Sequence, residues 1–344
     1  MNKTLFLPIF VMLGLFCFWK TTAQNNDKEV AIEKELVQLI QEEKIPGMQI
    51  VHFKNGSAKS YVVGYKKYGT QDKVTDHTLF QSASLSKSVM AYAVLKLYER
   101  GVIDLDTPLD NYWQYPRLSH EPKAKLMTAR MALTHTTGLP NWTKPRGAAL
   151  QSAFTPGTDF KYSGEGYLYL QKVIEHITGK SLEEIAQEEV FEPLGMQESH
   201  YIYKKNMEPN YAHGHDGLTA KALRKFDAPN GAFSLITTAG DYSIFIQKVL
   251  VEGQGIKAQT HQMMTGYSSS RSPRVGYGMG VMIQRNKRGK GIAHTGSNPG
   301  FRNFYFVYPD TGESIVCFTN GTNGQKIRQK VATLFLGEQA FWTF

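Results

Sequence analysis

The chain has 344 residues and a formal net charge of +9, with 41% hydrophobic and 20% charged residues. That length and apolar share support a sizeable core and exclude a disordered, charge-driven tail protein. The positive charge is scattered along the chain, which argues against nucleic-acid binding.

Lys3, an apolar run from Leu5 to Trp19 and the small residues Thr21 to Ala23 have the layout of a secretory signal peptide cleaved after Ala23. The expectation is a periplasmic or secreted protein with no stable membrane span after processing, because a spanning helix needs about 20 apolar residues. Cys17 invites a lipoprotein reading, but Phe16 stands before it where a lipidation site needs a small residue. The mature chain then keeps one cysteine, Cys317, inside the apolar run Ser314 to Phe318. No internal disulfide is possible, and the thiol reads as a small hydrophobe.

Lys28 to Glu43 carries Ile32, Leu36, Leu39 and Ile40 at helical spacing and ends at Pro46-Gly47. Met48 to Phe53 and Ser60 to Tyr65 read as strands joined at Asn55-Gly56. The middle is mostly helical. Lys87 to Arg100 is stopped by Gly101, and Gly166 to Thr178 by Gly179. Ser181 with Glu184 forms a capping box whose helix runs toward Phe191 and breaks at Pro193. Ala239 to Val251 is a further helix. Strands return at Gly278 to Gln284, Gly291 to His294, Phe301 to Tyr308 and Glu313 to Thr319, before a last helix at about Gln325 to Glu338. The densest basic cluster, Arg285, Lys287, Arg288 and Lys290, surrounds Asn286 and Gly289 in a solvated hairpin turn. The expected fold class is α+β: an antiparallel sheet built from both termini, flanked by terminal helices, with a mainly helical lobe beside it and a cleft between.

Ser84-Leu85-Ser86-Lys87 is the only S-x-x-K in the chain. At the head of a helix the two side chains share a face, and a desolvated lysine can take the proton that makes a serine hydroxyl nucleophilic. Alone the pattern equally describes a helix start followed by a surface lysine. Tyr162-Ser163-Gly164 before one helix and His294-Thr295-Gly296-Ser297 after one strand add a phenol for a second proton transfer and a polar strand edge for an oxyanion. His215-Asp216-Gly217 is a second H-x-G and shows how cheap that pattern is.

The ordered set resembles the serine β-lactamase-like family of class C β-lactamases, D-alanyl-D-alanine carboxypeptidases, D-amino-acid peptidases and related esterases. Phe80 to Lys87 resembles its nucleophile segment, and Ala132 to Pro140 its "LLTHTSGLP" loop. Pro156-Gly157-Thr158, Tyr162-Ser163, Gly166-Tyr167, Pro193 to Met196, His294-Thr295-Gly296, Pro299-Gly300-Phe301 and Thr319-Asn320 follow in the family's order. With the leader at 1–23, the resemblance implies a β-lactamase-related domain at 24–344. The sheet lobe would span about 24–80 and 270–344, and the helical lobe about 81–269. It implies Ser84 as nucleophile, Lys87 as base and Tyr162 as proton carrier. His294, where the family often has lysine, would supply positive or hydrogen-bonding character. The backbone N–H groups of Ser84 and Ser297 would form the oxyanion hole, with Thr295 and Gly296 on the same substrate-binding edge.

No cofactor and no metal are implied. The expected partner is a small molecule or peptide: a peptidoglycan-like peptide, an ester or a β-lactam. One departure stands out. Gly164 replaces the asparagine of the family's Tyr-x-Asn, which helps hold the substrate amide. Peptidase or esterase activity therefore ranks ahead of β-lactamase activity, and restoring asparagine at 164 is expected to raise penicillin reactivity. Trp142, Tyr162, Tyr277 and Phe301 are candidate cleft walls.

Three rivals remain in view. A metal hydrolase would use His213-Gly214-His215-Asp216, but the aspartate comes one residue early. An α/β-hydrolase elbow fails because Gly266 to Ser270 lacks its final glycine. A non-catalytic penicillin-binding or sensor protein on the same fold differs from an enzyme in covalent labelling of Ser84.

Overall fold

The computed structural model describes residue 27, residues 29–338 and residue 341. The expected leader, with Cys17, lies outside them. Among the described residues no helix is long and apolar enough to cross a membrane.

An eight-stranded, wholly antiparallel sheet forms the frame. Strands β1 (Gly47–Lys54) and β2 (Ser57–Gly64) make a hairpin. Its turn residues Asn55 and Gly56 have φ of 52° and 78°, the mirror-image turn that suits right-twisted strands. The other six strands come from the far end of the chain: β3 (Ser269–Ser272), β4 (Val275–Tyr277), β5 (Met282–Asn286), β6 (Gly289–Asn298), β7 (Phe301–Val307) and β8 (Ser314–Thr319). Their spatial order is β2-β1-β8-β7-β6-β5-β4-β3. The join between the two ends is the β1–β8 pairing, with Ile50 opposite Cys317.

Each sheet face has its own core. Ile315 and Cys317 of β8, with Phe304 and Phe306 of β7, pack under helix α1 (residues 29–42) and the C-terminal helix. Val316, Phe318, Tyr305 and Val307 point the other way into the helical lobe. The unbroken apolar run at Cys317 is thus a strand covered on both faces. Burial raises the Cys317 thiol above its ordinary value, so it behaves as a hydrophobe.

In the helical lobe, α2 (Ser86–Glu99) is buried almost throughout and α3 (Gly164–Thr178) lies beside it in the same core. Ser163 caps α3 by accepting from Gly166 N–H, and left-handed Gly179 ends it. The Ser181–Glu184 capping box is present.

Three local expectations need correction. The helix after Ser181 does not break at Pro193. A π-turn at Gln187–Phe191 leads into Glu192–Leu194, and left-handed Gly195 ends it. Pro193 sits in the first positions of that last turn, where a missing N–H costs nothing. The strand expected at Gly278 to Gln284 begins instead as a turn, in which Gly278 N–H donates to Val281 O and which joins β4 to β5, and only its last residues lie in β5. β6 does not stop at His294 but pairs with β7 through Asn298. Edge strand β3 has no counterpart among the expected strands; its register shift between Ser270 and Ser272 and its lack of apolar alternation explain the silence of the sequence. The basic cluster is indeed the β5–β6 hairpin, where Arg288 is ion-paired with Glu313.

Candidate active site

The site lies where the start of α2 meets the free edge of β6. β5 pairs with β6 only as far as Ala293, so residues 294–298 have β7 on one side and an open edge on the other. Gly296 lets this edge approach closely: a Cβ there would stand 2.3 Å from the carbonyl oxygen of Ser82. Before α2 the chain makes a 3-10 turn at Ala83–Leu85. Ala83 has φ of 56°, in the left-handed region that a non-glycine residue seldom occupies. Such strain is tolerated where the surrounding structure fixes it. Here it turns Ser84 toward the cleft.

Lys87 is 1% exposed. Its Nζ donates to Ala232 O at 2.7 Å and lies 3.4 Å from Ser84 Oγ. The Tyr162 and Tyr167 ring centroids are 4.9 and 5.5 Å away. Among the described residues no carboxylate comes within 4 Å of it. With no anion to hold its proton, burial pulls the ammonium down to about 7.

Tyr162 is half-buried and lines the cleft beside Ser84, with its ring centroid 4.9 Å from the Lys87 amine. Burial pushes the phenol well above its ordinary value, so it stays protonated. Behind it stands His135, whose ring centroid is 4.3 Å from that of Tyr162 and whose Nδ1 accepts from Ser163 N–H at 3.1 Å. His135 also has a left-handed backbone, φ 61°. Its place as the support of Tyr162 was not legible; the sequence showed it only as one letter of a motif.

His294 is 1% exposed, with its ring 6.3 Å from that of Tyr162. Burial lowers its imidazole to about 3, so it is neutral. Of the expected positive or hydrogen-bonding character, the neutral ring keeps the hydrogen-bonding half: among the residues lining this cleft there is no carboxylate to compensate a cation. Nδ1 lies 2.9 Å from Thr295 O, which assigns the proton to Nδ1. Nε2 is left as a buried acceptor with no partner among the described residues.

The cleft above these groups has a volume of about 520 Å³ and is lined also by Thr295 and Ser297 of the β6 edge. Trp142 and Tyr277 stand on its walls as expected. Phe301 does not; it is 1% exposed and packs edge-on against Phe80 at 6.5 Å. Asn141, Arg146, Arg224, Phe233 and Arg271 line the cleft without having been singled out in the sequence.

Gly164 lies beneath Trp142. A Cβ at 164 would stand 2.5 and 2.7 Å from two atoms of the indole and 2.8 Å from Asn141 O. The indole therefore fills the space a side chain at 164 needs. Asn141 ties the same spot down, its side-chain oxygen accepting from Gly164 N–H at 3.0 Å. This reverses the expectation for an asparagine at 164. Gly164→Asn is expected to cost about 1–3 kcal/mol through overpacking, seen as a lower melting temperature, with no gain in penicillin acylation.

The His213–Asp216 stretch is not gathered here. Both ring nitrogens of His215 are engaged, Nδ1 with Asn320 O at 2.9 Å and Nε2 with Tyr68 N–H at 3.1 Å. Among the described residues no group of three or more His, Cys, Asp or Glu side chains is placed to hold a metal.

The family model for Beta-lactamase matches residues 31–336, and the chain belongs to that family, whose members are serine hydrolases. It is 23% identical over 306 residues to penicillin-binding protein 4* of Bacillus subtilis, a match covering 78% of this chain and 66% of that protein. The chain thus spans just under two thirds of that relative's length. Among solved structures, a class C β-lactamase superposes with a TM-score of 0.78 at 21% identity, covering 91% of this chain and 96% of that one. A D-alanine carboxypeptidase from Burkholderia cenocepacia does so with a TM-score of 0.78 at 20% identity, covering 91% and 99%. At such identities the structures show a shared β-lactamase/transpeptidase-like fold.

Proposed function

We propose that this chain is an exported serine hydrolase that works through an acyl-enzyme on Ser84, acting as a peptidase of the D-alanyl-D-alanine carboxypeptidase or D-amino-acid peptidase type, or as an esterase. The observation that carries the reading is a buried Lys87, with no carboxylate within 4 Å among the described residues, whose Nζ lies 3.4 Å from the half-exposed Ser84 hydroxyl at the head of its helix; burial draws its ammonium down to about 7.

Neutral Lys87 takes the Ser84 proton as Oγ bonds to the acyl carbon. The carbonyl oxygen becomes an oxyanion held by the Ser84 and Ser297 backbone N–H groups. The Tyr162 phenol gives its proton to the leaving group and is refilled from the Lys87 ammonium as the scissile bond breaks. Water then attacks the ester, its proton passing through Tyr162 to Lys87, and Ser84 leaves with a proton. His294 Nε2, a neutral acceptor, orients a donor on the substrate or the phenol itself. The seat of Trp142 on Gly164 leaves no room for an asparagine at that position, which ranks a class C-type β-lactamase second.

Assays with nitrocefin, p-nitrophenyl acetate and D-amino-acid p-nitroanilides test the ranking. The ester and the D-anilides are expected to turn over faster, and fast nitrocefin turnover would reverse the order. With the acetate ester, kcat/KM is expected to climb with pH up to about 7 and then level, because only the deprotonated amine accepts the Ser84 proton. His294, titrating near 3, adds no limb between pH 5 and 9; a second inflection in that range would contradict its neutral role. Tyr162→Phe is expected to slow turnover by about 10²–10⁴-fold, read as kcat on the same ester.

A further inference from the structure

Six arginines of this chain contrast sharply. Arg100, Arg117, Arg130 and Arg288 are each ion-paired, with Glu189, Glu165, Asp106 and Glu313. Arg146 and Arg224 stand in the cleft wall with no carboxylate within 4 Å among the described residues. Partial desolvation by the aromatic wall, with the like charge of Arg146 beside it, holds Arg224 below its usual value although its side chain reaches solvent. Two cations set side by side without an anion cost stability, so their placement calls for a further partner.

Aromatic rings hold both. The Arg146 guanidinium carbon is 4.2 Å from the Trp142 ring centroid and 5.7 Å from that of Phe233. The Arg224 carbon is 5.2 Å from the Phe233 centroid and 4.7 Å from that of Phe226. Trp142 and Phe233 themselves meet at 5.4 Å, edge to face. Stacking on an aromatic face fixes the plane of a guanidinium and leaves its N–H fork free. The platform exists because Gly164 has no side chain under Trp142.

We propose that Arg146 and Arg224 clamp a carboxylate at the far end of the substrate's acyl group, so that the ester or peptide delivered to Ser84 carries an acidic acyl part. This rests on the proposed function. The acyl side is assigned because the proton donor to the leaving group faces the other wall. Tyr162 packs toward Tyr277, ring centroids 6.3 Å apart, and Tyr277 and Arg271 line the cleft together on that side. A planar carboxylate matches the guanidinium fork in two parallel hydrogen bonds.

The test compares p-nitrophenyl hexanoate with mono-p-nitrophenyl adipate, six-carbon acyl groups differing only in the terminal carboxylate. The adipate is expected to have the higher kcat/KM. The adipate-to-hexanoate ratio is expected to fall about 10- to 100-fold in Arg146→Ala/Arg224→Ala, and to shrink as salt is raised to about 0.5 M. Both side chains are exposed and donate no hydrogen bond to another described residue, so the variant should fold; circular dichroism checks this. A wild-type ratio of one or less, or a ratio unchanged in the double variant, overturns the clamp while the hydrolase reading stands. If neither ester acylates Ser84, the hydrolase reading falls instead. The clamp is then decided by calorimetry with adipic acid monoamide: binding lost in the double variant upholds it, and no binding to the wild type overturns it.

Discussion

Ser84→Ala is expected to abolish acyl transfer, lowering ester turnover on the order of 10⁴-fold or more, with the fold intact. The hydroxyl opens onto the cleft that Tyr162 also lines and lies 3.4 Å from a buried amine, placed to bond covalently to an acyl carbon. Its loss removes no packing. Ser84 is half-exposed, and the turn that carries it is fixed by Ser86 Oγ donating to Ala83 O and by Ala83 itself. A melting temperature within about 2 °C of the wild type, together with no burst of p-nitrophenol, is the expected pair of results. A surviving burst would mean that another residue carries the acyl group.

Lys87→Met is expected to be nearly as severe, about 10³–10⁴-fold in kcat/KM, toward the upper end for a lost general base. Methionine fills much of the space without an amine. It leaves Ala232 O without its 2.7 Å donor and Ser84 without an acceptor for its proton. The pH profile separates loss of the base from loss of packing. If Lys87 is the base, the rise toward pH 7 disappears along with most of the rate. A variant that is slow but keeps the same inflection would assign that titration elsewhere.

Most of the frame was legible because it is written locally. The stops at Gly101 and Gly179, the Ser181 capping box and the Asn55-Gly56 turn are signals spanning a few residues. The antiparallel sheet assembled from both termini followed from strands at each end with helices between. The four groups expected at the site are gathered there: Ser84 and Lys87 by one helix turn, Tyr162 and His294 by contacts across the cleft.

What could not be read depends on burial and on distant pairs. The charge state of His294 is set by its pocket, not by its neighbours in sequence. Trp142 and Gly164 are complementary only once α3 and the loop before it are packed. Arg146 and Arg224 sit in irregular segments with no periodicity to single them out, and only the shared Phe233 ring brings them into one wall. Phe301 shows the converse. An aromatic residue in a motif next to the site edge turned inward onto Phe80, because alternation on β7 sends it into the core.

The reaction of the folded chain with a fluorophosphonate, followed by intact mass and peptide mapping, tests the central claim most directly. The account predicts a single phosphonyl adduct, on the peptide containing Ser84, forming faster as pH rises toward about 7 and absent from Ser84→Ala. A folded protein that takes up no adduct, or carries it on a different residue, would contradict it.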